Sequence, residues 1–212
     1  MNAESMLESP ALSLLIIEER ANKDIVVGVP HHAPAGKTTL PCQNHPDSDE
    51  NAGFLGRYVA EALNCCSIIA CNYTIDVNKS LSSDYAMQIA RWRPKVLIEI
   101  HGHGGKKAKH DVEISSGSSE RDSYSRQIAT RLIEILADAD GFKSLSICGQ
   151  YCKLHFKASE SVTISDGRWI AYHIELPPTL RKPSVSPNGK PPDIGYTFCD
   201  ALIKAMREIH KF

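Results

Sequence analysis

The stretch Val96-Leu97-Ile98-Glu99-Ile100-His101-Gly102-His103-Gly104-Gly105 constrains the fold more than any other part of the chain. Three apolar residues lead in and glycines close it, so it reads as a buried strand that delivers an imidazole to a tight turn. Asp24-Ile25-Val26-Val27-Gly28-Val29-Pro30-His31-His32 repeats the design. Two strand ends that each present a histidine are what a metal site at the edge of a sheet needs.

The remaining pattern alternates strands with helices. Leu12 to Arg20 suits a strand paired with 24–29 across Ala21-Asn22-Lys23, and the latter strand should stop at Pro30. Residues 32–46 read as loop, and Asp47-Ser48-Asp49 as a helix start with carboxylates at the positive end of the dipole. Phe54, Leu55, Val59, Ala62 and Leu63 follow at helical spacing. Residues 67–70 and 95–100 read as strands, with a helix over 85–92 between them that Pro94 closes. Further strands are expected at 111–115, 145–148, 161–164 and 169–176. Helices are expected over 123–138 and 194–209, the first with Ile128, Leu132, Ile135 and Leu136 on one face. Arg181 to Pro192 reads as loop. The alternation predicts an α/β fold, a single domain over 1–212 with a mixed, mainly parallel sheet and helices on both faces.

Composition narrows the function. The 212 residues, 42% hydrophobic, suffice for one full core, and a net charge of −1 gives no general attraction to nucleic acid or an anionic membrane. The longest apolar run, 11–17, is too short to span a bilayer. Glu4 and Glu8 near the start, with no basic region, argue against a signal peptide. The seven cysteines are odd in number and irregularly spaced, with no CxxC pair. They read as buried thiols of a reducing cytoplasm. The expected partner is a small molecule.

In open α/β sheets, sites form beyond the carboxyl ends of strands. His31, His101, Asn78 with Lys79, and Glu175 sit at such places, and Asp49 lies close in sequence to the first histidine. Two imidazoles and a carboxylate form a common catalytic zinc set with a fourth position for water, which zinc makes more acidic. A separate carboxylate can then carry a proton to a leaving amine. Glu175 suits that task because it interrupts an apolar strand end. His32 competes with His31, and Glu50 or Asp47 with Asp49. Glu175 has a structural alternative as the partner of Arg168 or Arg181, Asn78 as a turn residue, and His103 as either a support for the ligands or a solvated loop residue. Lys106-Lys107-Ala108-Lys109-His110 reads as solvated loop. His45, His110, His155, His173 and His210 are left as surface or core residues.

The ordered set VPHH, PDSDENAG, DVNK, IEIHGHG and HIELPPTLR resembles the N-formylglutamate amidohydrolase family, which belongs with zinc carboxypeptidases and aspartoacylases. The likeness covers roughly residues 25–181. It implies one zinc ion on His31, Asp49 and His101, with Glu175 as the catalytic glutamate and Asn78 holding substrate. Lys79 and Arg181 are cations for a substrate carboxylate, Arg181 because guanidinium binds it at two points. The implied activity is hydrolysis of a C–N bond in a small N-acyl amino acid or acidic peptide-like substrate. Two departures stand out. Asp76-Val77-Asn78-Lys79 replaces the family's Asp-x-Asn-Arg, losing the guanidinium fork, and Glu99 replaces aspartate in Asp-x-His. Other classes stay open: a binding module that kept the fold without catalysis, or a nucleotide-dependent enzyme with residues 102–105 as a phosphate loop. The second lacks the GxxxxGK[ST] pattern.

Overall fold

The strand expected at 95–100 runs from Val96 to Gly102 and lies at the centre of the sheet. The structure, a computed structural model, describes residues 2–183 and 189–211. Its strands are β1 (Leu14–Glu18), β2 (Asn22–Ala33), β3 (Asp49–Glu50), β4 (Cys65–Cys71), β5 (Val96–Gly102), β6 (Val112–Ser115), β7 (Ile147–Cys148) and β8 (Ile170–Leu176). The helices are α1 (Ala3–Leu7), α2 (Ala52–Ala62), α3 (Asp84–Trp92), α4 (Asp122–Leu136), α5 (Pro178–Arg181) and α6 (Asp193–His210). The sheet order is β1-β4-β2-β5-β8-β6-β7, with β3 added to β2. Pairing is parallel except at β1–β4 and β6–β8. No helix of the described residues is long and apolar enough to cross a membrane.

Period-two alternation along the central strands builds a core on each face. Ile98 and Ile100 of β5 join Tyr172 and Ile174 of β8 under α2, α4 and α6, through Leu55, Leu132 and Leu202. Leu97 joins Val26, Ile68 and Ala171 under α3, through Tyr85 and Ile89. Each such aliphatic side chain removed from water contributes about 1.5–3 kcal/mol. Beyond Leu97 the second face turns polar, with Glu99 and His101 on β5 beside His173 and Glu175 on β8. The register sets Glu99 against His173 and His101 against Glu175.

Several expectations are corrected. β1 pairs with β4 and not with β2, because β4 and β5 already occupy both edges of β2. β2 does not stop at Pro30 but continues to Ala33. Its register against β4 slips between Val29 and His32, where three steps on β2 match two on β4. That extra residue is a β-bulge, a place where proline's missing N–H disrupts no ladder bond. Asp49 is no helix cap: it lies in β3, and α2 begins at Ala52 after Asn51, whose φ is 64°. Residues 161–164 form a turn, not a strand. There the Ser161 hydroxyl accepts from the Ile164 amide and pairs with Thr163. Within the loop expected at 181–192, Arg181 ends α5, and residues 184–188 lie outside the described residues.

Candidate metal centre and its cleft

The bulge in β2 decides which histidine reaches the centre. Val27 and Val29 face the larger core, and strict alternation would send His31 there too. The extra residue reverses the pattern. His32 takes that side, where its Nε2–H donates to Leu7 O at 3.0 Å and its Nδ1 accepts from the Gly53 amide at 3.1 Å. With both nitrogens occupied, His32 has none to offer an ion.

His31 turns to the other side, with Asp49 and His101. One oxygen of Asp49 lies 3.5 Å from His31 Nδ1 and 3.4 Å from His101 Nδ1. All three side chains are buried. At the far side of each ring, His31 Nε2 lies 3.0 Å from Asp76 Oδ1, and His101 Nε2 lies 3.3 Å from Glu99 Oε2. Glu99 is fixed in turn by the hydroxyls of Tyr85, at 3.0 Å, and Thr163, at 2.7 Å. With an ion between the two rings, each carboxylate would hold the proton on Nε2 and leave the Nδ1 lone pair for the metal.

This donor set fits a divalent metal. His31 Nδ1 and Asp49 Oδ2 are buried without a hydrogen-bond partner among the described residues. Such atoms are costly unless something unites them. Two atoms each about 2.0–2.1 Å from a tetrahedral zinc stand about 3.4 Å apart, close to the spacings here. Without an ion, the electrostatics substitute protons. Burial opposes charge on His101, but Asp49 and Glu99 outweigh it and lift its pKa to about 10. His31 is raised for the same reason, with burial outweighed by Asp49 and Asp76. Asp49, despite its burial, is held far below the usual carboxylate range by His101 and His31.

Glu175 stands beside this group. Its Oε1 lies 3.4 Å from His173 Nε2, and its Oε2 is buried with no hydrogen-bond partner among the described residues. Burial, helped by the charge of Asp49 and opposed by His101, pushes its pKa up to about 7. With no ion in place such a group takes and returns a proton near neutrality, and a bound cation would lower its pKa. Asn78 lines the same cleft, with its Nδ2 3.5 Å from Glu99 Oε2. Lys79 stands at the rim, 3.4 Å from Asp76 Oδ2.

Arg181 is not placed as the sequence suggested. It is buried, and its guanidinium donates to the backbone carbonyls of Leu176, Glu50 and His103 at 3.2, 2.6 and 3.1 Å. It ties together the chain ends at β8, β3 and β5, and it is no free partner for a substrate carboxylate. Gly102 exists for this contact, since a Cβ there would lie 2.0 Å from Arg181 Cζ. Glu50 pairs with Lys182 and accepts the Gly36 amide, and Asp47 is exposed. Among the acidic candidates, only Asp49 therefore faces both histidines. His103 shapes its own loop, with its Nε2–H on Asp111 O and its Nδ1 on the Gly105 amide.

Sequence reasoning passed over four neighbours. Asp76 and Glu99 carried only family motifs, although Glu99 is two residues before His101 and so on the same face of its strand. His173 precedes Glu175 by the same step, with its ring 4.1 Å from that of His101. His45 stacks on His31 at 3.8 Å from a loop, where no periodicity marks it.

No family model matches the chain, and no curated protein matches it by sequence. Solved structures do match. A bacteriophage poly-gamma-glutamate hydrolase is 12% identical with a TM-score of 0.56, over 99% of this chain and 95% of that one. An N-formylglutamate amidohydrolase from Ralstonia eutropha JMP134 is 11% identical with a TM-score of 0.56, over 94% and 98%. A putative carboxypeptidase A from Shewanella denitrificans OS-217 is 14% identical with a TM-score of 0.52, over 93% of this chain and 60% of that one. The chain shares the fold of these solved structures. At such identities the likeness establishes the fold alone; any activity has to be argued from the site.

Proposed function

We propose that this chain is a zinc-dependent hydrolase of amide bonds, acting on an N-acyl amino acid or an acidic peptide-like substrate as the N-formylglutamate amidohydrolases do. One observation carries the reading: two buried imidazoles aim Nδ1 at the same Asp49 oxygen while carboxylates hold their opposite nitrogens. His31, Asp49 and His101 would hold one ion. A zinc ion in such a set acidifies water and polarises a carbonyl. Glu175 removes a proton from the attacking water with its unpartnered Oε2, then delivers it to the leaving nitrogen. Water oxygen joins the acyl carbon, the C–N bond breaks, and a carboxylic acid and an amine result. Asn78 orients the amide, and Lys79 at the rim attracts a substrate carboxylate. Arg181 acts at one remove, holding the strand ends in place.

Metal analysis with assays on N-formyl- and N-acetylglutamate tests this. Wild type is expected to bind one zinc per chain and to turn over at least one of these substrates. His101→Ala is expected to lose the metal, and Glu175→Gln to keep it while losing at least a hundredfold in kcat. A protein that takes up no zinc refutes the reading at its base. Zinc and ligand binding without turnover would favour the non-catalytic binding module instead.

A further inference from the structure

The centre opens onto two clefts rather than one. The first, about 350 Å³, is bounded by Asn78, Lys79, Lys157 and Ser161. The second, about 570 Å³, runs past Gly102 to Lys106, Lys107 and Lys182. His45, His101, Phe156 and Glu175 line both, so the clefts meet at the candidate centre. Cavities of roughly 300–1,000 Å³ hold drug-sized ligands, so each side has room for more than a formyl or acetyl group. A site for one terminal residue needs a fixed cation against the end of its substrate. Arg181, the one buried lysine or arginine among the described residues, already donates to three backbone carbonyls. The other cations sit at the open rims. Lys157, and Lys79, which also pairs with Asp76 and Glu160, are on the first cleft; Lys106 and Lys107, both exposed, are on the second beside Lys182, which pairs with Glu50. Cations along both arms with no buried one committed to a chain end suit a substrate that passes through.

Resting on the hydrolase reading above, we propose that the substrate is an amide-linked chain bearing carboxylates on both sides of the cleaved bond, and that the enzyme cuts it at interior positions. Water again supplies oxygen to the acyl carbon and hydrogen to the nitrogen, now between two chain segments. Phe156 stands at the junction, with its ring parallel to that of His103 within 14°. It gives the chain an apolar surface where the two arms meet.

The test uses the zinc-loaded protein and oligoglutamates of two to six residues, acetylated at one end and amidated at the other. One series is α-linked and one γ-linked, and products are read by mass spectrometry. At least one series is expected to be cut at interior bonds, with kcat/KM rising tenfold or more from two residues to five. The linkage preference tells which acidic chain is used. Capped oligoglutamines are expected to be at least tenfold poorer, and Lys106→Ala with Lys107→Ala is expected to raise KM for the acidic pentamer several-fold. Release of terminal residues only, or inert capped chains beside good turnover of N-acylglutamate, overturns this inference and leaves the hydrolase reading intact. Equal rates on glutamate and glutamine chains overturn the acidic assignment. No cleavage of any chain or N-acylglutamate by zinc-loaded protein overturns both.

Discussion

Replacing Glu113 by glutamine is expected to loosen both clefts without touching the candidate metal ligands. Glu113 is fully buried on β6, in register with Glu175 on β8. One of its oxygens accepts the amides of Lys109 and His110 at 2.7 and 3.3 Å, and the other those of His155 and Phe156 at 2.8 and 2.7 Å. An ionised carboxylate only accepts, so it suits four donors. Glutamine of the same shape presents one oxygen and one NH2, which turns a donor toward two of the four amides. Each buried N–H left unsatisfied costs about 1–3 kcal/mol, so the pair should cost about 2–6 kcal/mol. For a chain of this size each kcal/mol is worth about 2–4 °C, so a mid-range loss lowers Tm by about 8–16 °C. Calorimetry and urea titration give the stability, and hydrogen exchange at residues 109–110 and 155–156 shows which loop is released. A loss below about 1 kcal/mol, with those amides still protected, would refute the claim that Glu113 staples the two walls.

Other expectations follow from the same geometry. Glu99→Gln and Asp76→Asn should each weaken zinc binding by about 10–100-fold, read by competition with a chelating dye, because they release the orienting bond on one ligand ring. Gly102→Ala should destabilise the protein, since the added Cβ would lie 2.0 Å from the buried Arg181 Cζ; a melting point equal to wild type would contradict this. The metal-free protein should be most stable near pH 6.5. Below that value the unfolded chain protonates His32 and His45 while the fold keeps both neutral, their pKa values lowered by burial to about 4; Glu175, raised by burial to about 7, offsets one of the two, so on balance stability is lost as pH falls. That difference amounts to about 3 kcal/mol over the window. Above pH 6.5 the fold retains a proton on His101, held up to about 10, so stability is lost as pH rises. Urea midpoints across pH 4–10 check both limbs, and added zinc should flatten the alkaline one. In the active protein kcat/KM should rise with pH along an acid limb below 7, as Glu175 ionises beside the cation, and Glu175→Gln should abolish the residual activity that defines that limb.

Much of this was legible in the chain, for a definite physical reason. β5, β8, α3, α4 and α6 are where local periodicity and burial agree, and there the expected and observed elements differ by only a few residues at their ends. What escaped depends on partners distant in sequence. β1 follows the edge of β4, and β3 exists only because Asp49 and Glu50 pair with His32 and Ala33. Asp49 therefore carried the local signature of a helix cap, which its pairing overrides. Arg181 shows the same limit. Nothing in its own segment reveals that three carbonyls from separate strand ends converge on it.

His31 and His32 make the point most sharply, because the sequence holds the answer in a form that alternation alone misreads. Counted in steps of two from Val27, His31 belongs to the core and His32 to the open face. The bulge after Val29 inverts that count. Pro30 is the residue that marks it, since a strand that carries proline through its middle must break its ladder somewhere. A proline that signals an end when read locally thus signals a reversal of facing in the sheet. This reversal is what turns His31 toward Asp49 and Asp76 and seats His32 between Leu7 and Gly53. Deleting Pro30 would leave two steps on β2 against two on β4, so His31 and His32 should keep their facings and the centre its ligands. Closing the bulge with every residue retained would instead turn His31 into the core and His32 to the open face; a Pro30-deletion variant that folds but no longer binds zinc would contradict this account.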